Sequence, residues 1–176
     1  MSKRAGDELE GEAKKKQKTK PAYTFNFNDA VMKEHETKSF TEIIQLPPSA
    51  LQGLADHVNP MLEAFKITTI EKLAAWKYYH MARAIATLAA IEETGKRDAA
   101  GESNLNKALD KEWETKSLKE VLAAPPSVLQ GLADWTDSVL TDLKITTVEK
   151  LANWKYCQWA EALVTLAKYE AADHSS

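Results

Sequence analysis

The apolar residues of this chain fall into short runs at helical spacing, separated by polar turns. Leu54, Val58, Met61 and Phe65 recur at intervals of three and four, and Leu132, Val139 and Leu143 follow the same face. Two Ala-rich amphipathic stretches, roughly Lys77–Ile91 and Lys155–Tyr169, read as longer helices. Few runs combine β-branched residues with strict alternation, so strands are not expected. Ser39 with Glu42 and Ser117 with Glu120 form S-x-x-E capping boxes, in which hydroxyl and carboxylate satisfy the orphan N–H groups of a helix start. Thr68 with Glu71 and Thr146 with Glu149 repeat the signal. Pro47-Pro48 and Pro125-Pro126 stop the short helices FTEIIQL and LKEVLAA, because proline disfavours helical geometry before it and lacks an N–H. Proline is tolerated again in a first turn, so PPSALQ and PPSVLQ read as brief helices ending near Gly53 and Gly131. Asn59-Pro60 is a second start signal within copy one. The pattern predicts an all-α fold.

The pattern also occurs twice. Sliding the sequence by 78 residues lays Asn26–Glu92 on Asn104–Glu170 without a gap, and about 37 of the 67 positions are identical. ETKS, PPS, LQGLAD, KITT, EKLA and WKY all recur. The predicted organisation is a basic tail (1–24), a first helical repeat (25–92), a linker (93–103), a second repeat (104–170) and a short C-terminus (171–176). The linker, ETGKRDAAGES, is polar and rich in small residues, which makes it flexible. The tail is nearly devoid of large apolar side chains and cannot offset its ordering entropy, so both ends are expected to be disordered. A repeat of this length has a marginal core by itself. Whether the two small bundles pack together or stay apart is left open by the linker.

Charge refines this picture. The 176 residues carry a net charge of −3, with 44% apolar and 28% charged side chains, ordinary for a globular chain. Residues 1–20 hold seven Lys/Arg against four acids, leaving 16 basic and 22 acidic residues in the remainder. Lys3-Arg4, a nine-residue spacer and then Lys14, Lys15, Lys16 and Lys18 resemble a bipartite nuclear localisation signal of the nucleoplasmin type. That resemblance implies an import receptor as one partner and the nucleus as the location. A single cysteine, Cys157, excludes an intramolecular disulfide and a Cys-based zinc site and fits a reducing intracellular compartment. No apolar run is long enough to span a membrane.

L-x-G-L, followed by an apolar segment and K-I-T-T-h-E-K-L, resembles the helix-hairpin-helix superfamily over Ser49–Ala74 and Ser127–Ala152. The resemblance implies a short helix, a glycine hairpin and a second helix. It also implies a hairpin, Gly53, Leu54, Ala55 and Asp56 with Gly131, Leu132, Ala133 and Asp134, that contacts a partner. DNA-binding members of that superfamily use hairpin N–H groups on a phosphate. Here Ala55 and Ala133 stand where a second glycine is usual, and Asp56 and Asp134 place a carboxylate where a phosphate would sit. The hairpins are therefore expected to serve as protein-binding turns, with DNA or RNA binding through hairpins and tail as the alternative.

Trp76, Lys77 and Tyr78, with Trp154, Lys155, Tyr156 and Trp159, form a second repeated candidate patch, suited either to core packing or to an interaction hot spot. A lysine between aromatic rings also suits cation–π contact or base stacking. The four histidines show no metal-ligand spacing, and no glycine-rich phosphate loop or nucleophile–base pair is present. The expectation is a non-enzymatic nuclear interaction or scaffold protein with no cofactor, metal or small-molecule substrate. Two similar sites on one chain would act bivalently.

Overall fold

A computed structural model describes residues 25–172. The expectations for the tail, including all six import-signal residues, lie outside the described residues. Asn26–Glu170 form one compact unit, and Phe25 with residues 171–172 fall outside it.

The described residues are helical, with no strand. Copy one supplies α1 (Phe40–Ile43), α2 (Val58–Glu63), α3 (Ile70–Ala74) and α4 (Lys77–Ala89). Copy two supplies α5 (Leu118–Ala123), α6 (Trp135–Asp142), α7 (Val148–Ala152) and α8 (Lys155–Ala167). Pro48–Ala50 and Pro126–Val128 are single 3-10 turns, each opened by the second proline of its pair. Isolated antiparallel bridges, Val31 to Leu51 and Leu109 to Leu129, tie the entry segment of each copy to its LQG turn.

Both Ser-Glu capping boxes form. Glu42 Oε2 accepts from the Ser39 N–H at 2.9 Å while Ser39 Oγ accepts from the Glu42 N–H at 3.2 Å; Ser117 and Glu120 repeat this at 2.8 and 3.1 Å. The threonine boxes differ from expectation by one residue. Thr69 and Thr147 are the caps, accepting from the N–H groups of Lys72 and Lys150 at 3.1 Å. The cause lies in where the preceding N–H groups go. Ile70 and Glu71 already donate to the carbonyls of Leu46 and Ile44 just beyond α1, both at 2.9 Å. The first orphan donor is therefore that of Lys72, which only Thr69 is placed to meet. Thr68 and Thr146 instead accept from the Lys72 and Lys150 ammonium groups at 3.0 Å.

Asn59 is also not a cap. α2 starts at Val58, and the Asn59 carboxamide reaches back to Ser49, accepting from its N–H at 3.0 Å and donating to its hydroxyl at 2.8 Å. Asp137 accepts from the Ser127 N–H at 3.0 Å in the same way. This pair fastens the helix after the LQGLAD turn to the turn before it.

α2 and α6 end in Schellman motifs. Ile67 donates to the Leu62 carbonyl at 3.1 Å and Lys66 to that of Glu63 at 2.7 Å. Ile145 and Lys144 do the same to Leu140 and Thr141 at 2.8 and 2.9 Å. Lys66 (φ 62) and Lys144 (φ 65) thus hold the left-handed position that glycine usually takes.

The copies pack together, and crosswise. The long helix α4 of copy one lies on α5 and α7 of copy two, and α8 of copy two lies on α1 and α3 of copy one. One continuous apolar core results, drawing on both copies. Hydrogen bonds repeat the exchange. The Glu170 carboxylate, just past α8, accepts from the N–H groups of Phe40 (2.6 Å) and Thr41 (3.4 Å) at the start of α1. The Glu92 carboxylate, just past α4, accepts from those of Leu118 (3.0 Å) and Lys119 (3.3 Å) at the start of α5. Each copy ends by satisfying orphan donors of the other.

Candidate functional site

The two repeated motifs meet, each in the copy opposite its own. Gly53 (φ +99°) and Gly131 (φ +102°) turn the chain in a conformation that other L residues rarely adopt. The hydroxyl of Tyr156 lies 2.6 Å from the place a Cβ on Gly53 would occupy, and the hydroxyl of Tyr78 lies against the same place on Gly131. The glycines of LQGLAD therefore serve the tyrosines of WKY, across the boundary between copies. Leu54 and Leu132 go into the core. Ala55, Asp56, Ala133 and Asp134 are exposed.

The aromatic motif divides similarly. Trp76, Trp154 and Tyr78 are buried, and Tyr156 and Trp159 are half-buried. Lys77 and Lys155 remain exposed and lie over rings, Lys77 Nζ 4.9 Å from the Tyr78 centroid and Lys155 Nζ 5.0 and 5.1 Å from those of Tyr156 and Trp159. Core packing and cation–π contact are thus both present in one motif.

Where WKY of copy one meets LQGLAD of copy two, a groove of about 690 Å³ opens. Its walls are Phe65, Trp76 and Tyr78 on one side and Gly131, Leu132 and Ala133 on the other, with Trp135 and Thr136 at the start of α6. Phe65 packs on Trp76 (centroids 5.3 Å apart) and stacks with Trp135 (6.2 Å, interplanar angle 16°). Trp135 is 56% exposed despite that contact. Lys66, Lys72 and Lys77 line the same groove, which no Asp or Glu among the described residues does. None of these lysines is in an ion pair among the described residues.

The two copies differ at this place. Residue 78 positions from Trp135 is His57, and Phe65 corresponds to Leu143. Lys66, Lys72 and Lys77 recur as Lys144, Lys150 and Lys155. The cations are duplicated, whereas the stacked aromatic pair belongs to one groove alone. Reading the sequence copy by copy pairs LQGLAD with its own downstream helix and so overlooks Phe65, Lys66, Lys72 and Trp135 as members of one site. The departure of Trp135 from His57 was the available signal.

A second polar cluster lies between α4 and α8. Tyr79 Oη donates to Glu161 Oε2 at 2.9 Å, and Arg83 pairs with the same carboxylate. Burial, then the Glu161 acceptor, pushes the Tyr79 phenol up to about 12. Cys157 is fully buried, and burial raises its thiol well above the ordinary value. A neutral, enclosed thiol is a packing group, not a nucleophile.

Among the described residues, no group of three or more His, Cys, Asp or Glu is placed to hold a metal ion, and no helix is long and apolar enough to cross a membrane. No family model, curated protein or solved structure matches the chain.

Proposed function

We propose that this chain is a non-enzymatic, nuclear protein-interaction module built from two helix-hairpin-helix-like repeats behind a basic import tail. The observation that carries the reading is the half-exposed Trp135 stacked on Phe65 in a groove shared by both copies. A large aromatic ring left in water beside an apolar floor is what a protein hot spot looks like before its partner arrives. Protein is favoured over nucleic acid as the partner because a tyrosine hydroxyl fills the approach to each hairpin glycine. A phosphate would need that backbone face. The acidic balance of residues 21–176 also opposes a long polyanion.

Replacing Trp135 with a photo-crosslinking phenylalanine analogue in nuclei tests the proposal. Discrete protein adducts at position 135, with few at position 57, are expected. Adducts to nucleic acid, or none, would overturn it. Removing residues 1–20 from a fluorescent fusion should abolish nuclear enrichment; unchanged enrichment would remove the import tail from the reading.

A further inference from the structure

We infer that the groove takes an acidic protein segment bearing an aromatic side chain, and that each chain binds one such segment. This rests on the interaction reading above and names the chemistry of its ligand. Trp135, largely exposed, and the partly buried Phe65 offer ring surface to an inserted aromatic, backed by the buried Trp76. Among the described residues the rim supplies three cations and no anion. Lys72 Nζ donates to the Thr68 hydroxyl and Lys77 lies over the Tyr78 ring, and among the described residues neither pairs with a carboxylate. Lys66 is held in the left-handed conformation at the groove edge, where glycine would be the less strained choice.

Stoichiometry follows from the differences between copies. The counterpart positions carry the same lysines but have His57, Leu143 and the acidic Asp142 in place of Trp135, Phe65 and Ala64. There Lys155 also lies over two rings, Tyr156 and Trp159. Asp142 thus lowers the positive charge of the counterpart place, so charge and the aromatic pair select the same groove.

The test is titration of the full chain with a fluorescein-labelled synthetic peptide of aspartates and glutamates around one phenylalanine. Binding at one site per chain is expected. Trp135→His introduces the residue that copy two's counterpart already tolerates, and should weaken binding about tenfold. Lys77→Glu should do the same without harming α4, since a carboxylate at the first helical position complements the dipole. Unchanged melting of each variant shows that the fold is intact. The triple change His57→Trp, Asp142→Ala, Leu143→Phe should raise the stoichiometry to two.

Peptide binding that is absent, or indifferent to Trp135→His and Lys77→Glu, overturns the inference. So does stronger, equally Trp135-dependent binding of oligothymidylate, or a Trp135-dependent dimer of the chain. A stoichiometry that stays at one in the folded triple variant overturns the selecting role of these positions. Crosslinks to protein at position 135 without peptide binding would leave the interaction reading standing and reject only this ligand chemistry.

Discussion

Tyr79 carries the clearest single-residue consequence. Its phenol is buried and donates to Glu161, which holds it protonated up to about pH 12, against an ordinary value of 10.0. Between those values the unfolded chain loses the proton and the folded chain keeps it. The unfolded state then binds fewer protons, so stability falls as pH rises through that window. Denaturant unfolding of Tyr79→Phe should show a shallower alkaline loss than the parent chain; parallel pH profiles would refute the assignment. Cys157 sits at the position equivalent to Tyr79 in the other copy and is equally enclosed. A thiol reagent at neutral pH should label it only as fast as the chain unfolds, and labelling that matches a free thiol in rate would contradict its burial. At Gly53, a methyl group meets both an unfavourable φ and the Tyr156 hydroxyl. Gly53→Ala should therefore cost about 2–4 kcal/mol, combining left-handed strain with overpacking. Tyr156→Phe in the same chain should recover about 1 kcal/mol of it, because only the steric part is relieved. A double-mutant cycle in urea measures the coupling, and purely additive losses would show that the two residues do not meet.

At the scale of elements, the Schellman ends of α2 and α6 make a sharper prediction than their sequences suggest. Lys66 and Lys144 adopt positive φ without the glycine that normally permits it. Lys66→Gly should raise stability by about 0.5–1 kcal/mol, read as a higher urea midpoint at constant slope, although it removes a charge from the groove. A lower midpoint would mean that the lysine stem makes packing that offsets the strain. These elements also mark what the sequence could reveal. The Ser39 and Ser117 boxes, the Pro-Pro stops and the long amphipathic helices depend on neighbours within a few residues, so local pattern was enough. The threonine caps slipped by one because the deciding carbonyls, Ile44 and Leu46, come from a different element. The left-handed lysines gave no local signal at all, since nothing about K-I-T-T distinguishes positive φ. The groove was half legible: LQGLAD and WKY stood out as repeated motifs, but their meeting across copies is a property of the packing. No spacing within one copy encodes it.

At the scale of the whole molecule, the exchange of α4 and α8 makes the two copies behave as a dimer joined by a linker. Residues that face each other across such an exchange would meet their own kind if the copies were identical. Here the sequence has diverged at those places. Arg83 corresponds to Glu161, and the two form an ion pair; Tyr79 corresponds to Cys157, a large and a small side chain both buried in the shared core. Two identical copies would set Arg against Arg or Glu against Glu, which repel at close range. The pair therefore favours one unlike half with the other and disfavours association of like halves. The linker, by this argument, raises the effective concentration of the halves but does not hold them together. A protease site placed at Ala99–Ala100 should be cut without separating the fragments, because the shared core and the Glu92 and Glu170 caps lie elsewhere. The nicked chain should elute as one species at the parent size. Fragments that part at micromolar concentration would show that the core is not truly shared. Arg83→Glu should loosen the nicked pair by setting two carboxylates together, and Glu161→Arg added to it should restore the pairing with the charges exchanged. Restoration separates a specific ion pair from general damage to α4, which a second substitution on α8 could not repair.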